Sequence, residues 1–494
     1  MSAPASRGRP VDLDDVQGLV MVGYKRLTQA SFLLLRVQDV AAARAWLAQA
    51  PVTSAADATA QKRPEKAMHV ALTSEGLRAL NIAAEVRDGF SLEFDAGMTS
   101  DEARARRLGD LGANDPQYWQ WGKGDRTPHV AVLLYAAPGQ LAAWRQEVEA
   151  QCAAGFDCIG VLSTSDVQGV EPFGFVDGIS QPQLDWQRER AVRDQDRLDY
   201  GNLACLGEFL LGYPNEYGRY TPRPLIDPAR DSAAAKLPRA EDAPEQADLG
   251  RNGCYLVMRQ LLQDLSGFWS TLDRCAKGDP AQRERLAACM VGRDKNGDPL
   301  ETSRELSPAQ GVPAAQAQQN TFTFRDDPLG VRCPLGAHIR RVNPRNADLP
   351  PGPPGILSRL WRTLGFNAEA LAQDRVASTR FHRLLRRGRK YEGPGAETGL
   401  HFICLVANIT RQFEFVQSAW IMGTKFDGLP DESDPLLGTR RKTLAGQQTD
   451  GYSIPQAGSP DMRLGGLPEF VTVQGGAYFF LPGIRALRYL ATAR

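Results

Sequence analysis

The sequence holds five histidines, and one of them lies in a basic segment whose residue types suit the binding of a metal and an anion. His338 occurs in CPLGAHIRRVNPR, where Arg340, Arg341 and Arg345 follow it. An imidazole can supply the axial nitrogen that a haem iron takes, and guanidinium groups pair with haem propionates. These residues alone leave two interpretations open, which are a haem ligand with its anion partners and a solvated basic loop.

A lone carboxylate between two glycines is the second candidate. Asp177 lies in the stretch GFVDG at 174–178, within an apolar and aromatic run. An aspartate before a glycine commonly closes a turn by hydrogen bonding to the backbone ahead of it. A carboxyl group in an apolar pocket instead has a raised pKa, because burial disfavours its charged form, and can then transfer protons. The local sequence is compatible with both roles.

Other sites are either absent from the sequence or weakly indicated. The sequence has no GxGxxG, GxxxxGK[ST], HExxH or GxSxG pattern, which argues against the common nucleotide, zinc-protease and serine-hydrolase sites. His69, His129 and His401 lie in apolar, strand-like runs, so we expect structural roles for them. The basic segment at 380–395 is either a solvated face or a loop that contacts an anion.

The elements that must position these residues follow a repeated pattern. An apolar strand followed by a helix is predicted at 30–50, 67–82 and 129–151, and again at 253–272 and 400–421. Irregular segments at 216–251 and at the proline-rich 341–361 are predicted to be a long surface connection and a loop. The alternation favours an α+β or α/β sandwich with two copies of one architecture.

Length and composition set further limits. A chain of 494 residues is expected to form two or more domains. Lys plus Arg and Asp plus Glu each total 58, which argues against a nucleic-acid partner. No apolar run reaches the roughly 18 residues of a membrane span, and no secretory or twin-arginine signal is visible, so a cytoplasmic location is expected. The eight cysteines form no CxxC pair, which argues against a disulfide framework or a zinc site.

Several segments together resemble the dye-decolorising (DyP-type) haem peroxidase family, in particular its longer members. The stretch GFVDG matches the GxxDG motif of that family. The other similar segments, in the order that the family has them, are GEFLLGYPNE (207–216), GCYLVMRQLLQDLSGFW (253–269), MVGRDKNGDPL (290–300), CPLGAHIRRVNPR (333–345), LLRRGRKYEGP (384–394), RQFEFVQSAW (411–420), DPLLG (434–438) and FVTVQGGAYFFLPGIRALRYL (470–490). An ordered series of this kind is more specific than a single motif.

The resemblance implies an α+β fold of two ferredoxin-like domains with antiparallel sheets and flanking helices. We expect a polar leader at 1–20 and an N-terminal domain at 21–215 that carries GFVDG. A connecting segment at 216–251 and a C-terminal domain at 252–494 are expected to follow. The C-terminal domain would carry the axial histidine and most of the haem site.

The resemblance also implies roles for single residues. His338 would be the axial ligand of one haem b per chain, Asp177 the distal aspartate and Arg386 the distal arginine, with Arg383 and Arg387 as alternatives to Arg386. The cofactor-binding residues would be His338, Arg345, Arg340 and Gly178. The chain departs from the family pattern at KYEGP (390–394), at Gln474, where the family has arginine, and at Asp294, where an aromatic residue is common.

The implied activity is a haem peroxidase that reduces hydrogen peroxide and oxidises dyes, phenolics or other bulky reductants, with an optimum on the acidic side. The alternative is a haem-binding protein that stores haem, transports it or removes its iron. Glu414 is either the acceptor for the second ring nitrogen of His338 or a helix-surface acid. Four aromatic residues near the motifs either relay electrons from the surface or pack in the core: Trp361, Tyr391, Trp420 and Tyr478.

Overall fold

The computed structural model of the chain describes residues 10–61, 63–166, 169–189, 201–301, 318–345, 378–443 and 446–492. Its strands are β1 Gln29–Val37, β2 Lys66–Leu72, β3 Val130–Ala136, β4 Phe156–Ser163, β5 Gln183–Leu184, β6 Leu203–Ala204, β7 Leu225–Ile226, β8 Ala247–Asp248, β9 Cys254–Gln263, β10 Leu385–Arg386, β11 Arg389–Glu392, β12 Thr398–Val406, β13 Tyr452–Gln456, β14 Ser459–Leu464 and β15 Val471–Leu481.

The α-helices of the same residues are α1 Gly18–Met21, α2 Val40–Gln49, α3 Ala55–Thr59, α4 Ser74–Ala79, α5 Ala84–Arg87, α6 Leu92–Ala96, α7 Glu102–Leu108, α8 Leu141–Cys152, α9 Leu265–Cys275, α10 Pro280–Val291, α11 His338–Val342 and α12 Ile484–Thr492. Two π-helical segments, Thr410–Glu414 and Val416–Ile421, follow β12. Short polar side chains begin many of these helices: Asp39 accepts a hydrogen bond from Ala42 N, and Thr73 from Gly76 N.

The first four long strands form one half of the main sheet. β1 pairs in antiparallel fashion with both β3 and β4, and β3 pairs with β2, which gives the order β4-β1-β3-β2. Helix α2 connects β1 to the segment before β2, and α8 connects β3 to β4. The order and the two crossing helices define a ferredoxin-like unit.

The later strands repeat this arrangement. β9 lies between β12 and β15, while β10 and β11 both pair with β12, so the order is β10/β11-β12-β9-β15. Helices α9 and α10 follow β9, as α2 follows β1. The prediction of an α+β fold with two ferredoxin-like units is therefore confirmed.

The two halves join into a single sheet of nine strands. The junction is one antiparallel residue pair, Phe480 of β15 opposite Leu72 of β2. The far ends also approach each other, because Ser165 N, just after β4, donates to Lys390 O of β11 at 2.9 Å. Hence the sheet curves back toward its own first edge.

Both faces of the central strands β1, β2 and β3 are buried, so these strands are almost continuous apolar runs, whereas the edge strand β4 is mostly exposed. Along β1, Leu33 and Leu35 belong to the core beneath the helices, whereas Phe32 and Leu34 belong to the core on the other face. A third core packs α9 and α10 against the β13–β14 hairpin and the GFVDG loop. This third core brings the loop next to the elements that carry His338.

The predicted strand-then-helix units all occur, at β1–α2, β2–α4, β3–α8, β9–α9 and β12 with the π-helical segments. The domain boundaries stay predictions. The connecting segment 216–251 is irregular apart from β7, β8 and one 3-10 turn, but it is not simply a surface loop, because Glu216 and Asp248 are fully buried. Most of 341–361 lies outside the described residues. None of the helices in the described part of the chain is long and apolar enough to span a membrane.

Candidate active site

One large cavity contains most of the predicted site residues. Its lining includes Asp177, Gly178, His338, Arg345 and Arg386, together with apolar side chains such as Phe402 and Phe413. The centre of a water molecule can reach about 260 Å³ of this space. The GFVDG loop, the start of α11 and strand β10 therefore contribute to one site, although they are far apart in sequence.

His338 begins α11 and is oriented by a carboxylate. Its Nδ1 lies 2.9 Å from Oδ2 of Asp434, whose side chain is completely buried. The backbone N–H groups of Leu436 and Leu437 both donate to Asp434 Oδ1 at 2.9 Å. Burial alone would raise the pKa of Asp434, but His338, Arg341 and the backbone donors outweigh it and hold that pKa below its ordinary value. A fixed anion thus holds the imidazole ring in place.

The other ring nitrogen of His338, Nε2, accepts or donates no hydrogen bond among the described residues, while the side chain lines the cavity. This leaves Nε2 available to a ligand in the cavity. The expectation that Glu414 is the acceptor for His338 is wrong. Glu414 instead accepts a hydrogen bond from the Tyr478 hydroxyl at 2.9 Å and forms an ion pair with Arg104 at 3.1 Å.

The GFVDG loop is built around two carboxylates. Glu171 accepts hydrogen bonds from the N–H groups of Phe173 and Phe175, both at 3.0 Å, and so fixes the first turn of GFVDG. Burial raises the pKa of Glu171 despite these donors. Asp177 Oδ1 accepts from Gly178 N at 2.6 Å, as expected for an aspartate turn. Gly178 has a φ of +78°, which a residue with a side chain rarely adopts.

Asp177 also meets an arginine. Arg386 Nη1 donates to Asp177 Oδ1 at 3.1 Å, and both side chains are about one-third exposed. The two alternatives are engaged elsewhere: Arg383 Nη2 lies 3.5 Å from Glu216, and Arg387 donates to the carbonyls of Leu19 and Val20. Of the three arginines, Arg386 is therefore the one whose guanidinium group contacts the candidate distal aspartate.

Two further arginines, Arg345 and Arg293, lie beside this pair. The sequence predicted a site role for Arg345 but not for Arg293. Arg345 donates to Ser180 Oγ at 3.4 Å and to Asn320 Oδ1 at 2.6 Å, and Arg293 donates to the same Ser180 Oγ at 3.0 Å. Arg293 forms no ion pair with any described residue. Burial, with the nearby charges of Arg345 and Arg386, lowers the pKa of Arg293 to about 9. Arg293 lies in the family-like segment MVGRDKNGDPL, in which no local feature of the sequence distinguishes it from a surface arginine.

Arg340 does not line the cavity, so its position does not support the prediction that it binds the cofactor. Arg340 is buried in the protein, where it donates to the carbonyls of Cys333 and Asp327 and pairs with the Asp327 carboxylate at 3.3 Å. Arg341 likewise points away from the cavity, toward the carbonyls of Trp420 and Glu432. Residues 340 and 341 occupy the inward side of the short helix α11, so their guanidinium groups bind backbone carbonyls inside the protein.

The remaining histidines have no place in the cavity. His69 is fully buried, and burial lowers its pKa to about 3, so the ring is neutral. His129 Nδ1 accepts a hydrogen bond from Val37 N at 3.0 Å. His401 Nε2 lies 3.0 Å from the carbonyl oxygen of Ser163. Their structural roles are as expected from the sequence.

The aromatic candidates for electron relay lie mostly in the interior. Tyr391 stacks on His401 with 4.5 Å between ring centroids, and Tyr478 is buried against Glu414. Trp420 is partly exposed and packs edge-on against His382 and Phe415. Trp361 lies outside the described residues. The contacts of Tyr391 and Tyr478 are those of core packing rather than of surface sites.

The donor set of the cavity fits a haem. A histidine with one free nitrogen, arginines that can meet carboxylates and apolar walls are what an iron porphyrin with two propionates requires. The fold and the cavity together are those of an α+β protein of two ferredoxin-like units whose cavity has a donor set suited to a haem.

Comparison with known proteins gives the family. The chain is 27% identical over 519 residues to the dye-decolorizing peroxidase msp1 of Mycetinis scorodonius, covering 99% of this chain and 89% of that protein. It is 28% identical over 456 residues to the multifunctional dye peroxidase DyP2 of an Amycolatopsis species, covering 85% and 81%. A crystal structure of the Anabaena DyP-type peroxidase superposes with a TM-score of 0.69 at 23% identity, covering 97% and 94%. No family model matches the sequence. Over nearly its full length the chain is thus similar to dye-decolorizing peroxidases, which supports a peroxidase function.

Proposed function

We propose that this chain binds one haem b, reduces hydrogen peroxide and oxidises dyes, phenolics or other bulky reductants. The observation that carries the proposal is that one cavity is lined by the pair Asp177 and Arg386 and by His338, whose ring the buried Asp434 holds. Simple haem binding would need an axial ligand and propionate partners but no acid–base pair. The distal pair therefore favours an enzyme over a haem store or carrier.

His338 Nε2 would hold the iron, and Asp434 would keep the imidazole electron-rich and correctly oriented. Arg345 and Arg293 would meet the propionates, because both donate to Ser180 on the wall of the cavity. The haem iron, when bound, supplies the electron transfer between peroxide and the reductant.

Asp177 would act as the proton shuttle. Its Oδ1 is already occupied by Gly178 N and Arg386, whereas Oδ2 accepts no hydrogen bond among the described residues. Oδ2 would take a proton from one oxygen of peroxide and return it to the other oxygen, which leaves as water when the O–O bond breaks. Two electrons from the reductant, together with two protons, convert the remaining oxygen to a second water. General acid–base assistance of this kind is typically worth about 10²–10⁴-fold in rate.

Arg386 would stabilise the negative charge that develops on peroxide as its proton leaves. A guanidinium group is permanently cationic and presents several donors in a fixed plane. Its Nη1 contacts Asp177 and its Nη2 lies 3.5 Å from Ser180 O, so the group is held before substrate arrives. Donors fixed in advance need little reorganisation in the transition state.

The test combines a spectrum with an activity. We expect the purified chain, reconstituted with haem, to show a Soret band and to consume peroxide in the presence of a phenolic reductant. Asp177→Ala and Arg386→Ala should keep the Soret band and lose most peroxide turnover, while Asp157→Asn, at an exposed position on β4, should behave as wild type. Haem binding by the wild type without peroxide turnover would support a haem carrier instead.

A further inference from the structure

We propose that Gln181 is a positioning residue that sets the placement of Arg386 through the backbone of β10. This inference rests on the proposed function, since it deepens the role given to Arg386. Gln181 lies four residues after Asp177 and lines the same cavity.

The side-chain amide of Gln181 forms two reciprocal hydrogen bonds with the main chain of a single residue. Arg386 N donates to Gln181 Oε1 at 3.0 Å, and Gln181 Nε2 donates to Arg386 O at 3.3 Å. This is the pattern that a neighbouring strand would offer to an exposed strand edge. One amide side chain therefore replaces a strand at this position.

Strand β10 needs such a partner. It is only two residues long, and β12 pairs with one of its edges, where Arg386 stands opposite Cys404 and Arg387 N donates to Ile403 O at 2.7 Å. The N–H and C=O of Arg386 point to the opposite edge, where Gln181 meets them. Arg387 Nη1 also donates to Arg386 O at 3.0 Å, so without Gln181 the carbonyl keeps one partner and the N–H keeps none among the described residues.

The same short loop also contacts the guanidinium group. Asp177 binds Nη1 and the Ser180 carbonyl lies 3.5 Å from Nη2, while Gln181 holds the main chain. The loop from 177 to 181 thus touches both ends of one arginine that is about 200 positions away in sequence. An arginine side chain has many rotamers. Fixing only the main chain of Arg386, or only its guanidinium group, would therefore leave the position of that group relative to Asp177 variable.

The experiment compares three variants of the reconstituted holoenzyme. Gln181→Met keeps the size of the side chain and removes both hydrogen bonds. Gln183→Met is the matched control, because Gln183 is similarly half-buried two residues further on and its side chain makes no hydrogen bond among the described residues. Gln181→Glu can donate and accept as glutamine does when protonated, but its ionised form cannot donate to Arg386 O.

The readouts are fluoride affinity by spectrophotometric titration, kcat/KM for peroxide and for the reductant separately, and the distance from Asp177 to Arg386 in crystals. We expect Gln181→Met to retain the Soret band, to lower fluoride affinity and kcat/KM for peroxide about tenfold, and to leave kcat/KM for the reductant unchanged. The ratio of the fluoride affinity of Gln181→Glu to that of wild type, measured at each pH, should approach one at low pH. This ratio should fall as the new carboxyl group ionises. Gln183→Met should stay within about twofold of wild type.

Three outcomes would overturn the inference. The first is wild-type fluoride affinity in Gln181→Met together with an unchanged distance of 3.1 Å from Asp177 to Arg386. The second is an equal loss in Gln181→Met and Gln183→Met. The third is loss of haem from both Gln181 variants, which would make Gln181 a haem-retention residue. A wild type without a Soret band or peroxide turnover would defeat the proposed function, and the crystal distance would still decide whether Gln181 positions Arg386.

Discussion

His338 Nδ1 and Asp434 Oδ2 lie 2.9 Å apart across 96 positions of sequence. The carboxylate is itself held by the N–H groups of Leu436 and Leu437 and is closed off from solvent. A rigid, buried anion on the second ring nitrogen makes an imidazole a stronger donor to iron and stabilises the ferric state.

Asp434→Asn should therefore raise the midpoint potential of the bound haem, because a neutral amide withdraws this support from His338. Spectroelectrochemical titration of the reconstituted protein measures the change. Asp427→Asn, at an exposed position in the same segment, is the control and should leave the potential as in wild type. An unchanged potential in Asp434→Asn would show that the carboxylate only holds the fold.

Asp177 and Arg386 should act as one unit. If Arg386 both orients Asp177 and stabilises the charge that Asp177 creates, removing either should cost about 10²-fold or more in kcat/KM for peroxide. The double variant Asp177→Asn/Arg386→Leu should cost little more than the worse single variant, because the two residues share one step. Steady-state kinetics of the four proteins at saturating reductant measures this. Additive losses would contradict a shared step.

Arg293 should lower the free energy of unfolding of the haem-free chain but strengthen the binding of haem. When no anion is bound, burial and the charges of Arg345 and Arg386 destabilise the charged form of Arg293 and lower its pKa to about 9. Arg293→Met should then raise the free energy of unfolding of the haem-free chain, while it weakens haem binding. Urea unfolding without haem and haem titration followed at the Soret band measure the two effects. Equal destabilisation of both forms would assign Arg293 to the core instead.

The strand-then-helix units were predictable because their signals are local: each has an apolar run and a helical pattern within about 20 residues, and Thr73 marks the start of one helix. The antiparallel, ferredoxin-like arrangement of those units was implied only by the family resemblance. His338 and Asp177 were found for the same reason, since each lies in a short motif. The pairing of the two halves into one curved sheet rests on a single residue pair, Phe480 with Leu72, which no local pattern encodes.

The partners of the site residues were not predictable, because they depend on which way a side chain points after packing. Arg340 and Arg345 lie in one basic segment, yet α11 turns Arg340 inward to Asp327, whereas Arg345 follows the helix at a φ of +58° and reaches the cavity. Asp434 lies in a segment that matched the family, but nothing in DPLLG indicates that its acid faces His338. The sequence left Glu414 either as the acceptor for His338 or as a helix-surface acid, and in the folded chain Glu414 is buried and accepts a hydrogen bond from the Tyr478 hydroxyl.

Glu208 should make the free energy of unfolding of the chain depend on pH between about 4.5 and 7. Its side chain is fully buried, with Oε2 bound to Arg411 at 2.8 Å and Oε1 to Glu216 N at 3.0 Å. Burial raises the pKa of Glu208 from its ordinary value of 4.5 to about 7, although Arg411 and Arg383 oppose this shift.

Between pH 4.5 and 7 the folded chain thus holds a proton on Glu208 that the unfolded chain has released, so the contribution of Glu208 to the free energy of unfolding falls as pH rises. Glu208→Gln, which needs no proton, should be more stable than wild type above pH 7, by up to about 3 kcal/mol, and the difference should shrink toward pH 4.5. Urea unfolding of both proteins across this range measures it, with Glu245→Gln, at an exposed position, as control. A stability difference that stays constant with pH would mean that Glu208 remains ionised throughout, with the Arg411 ion pair outweighing burial.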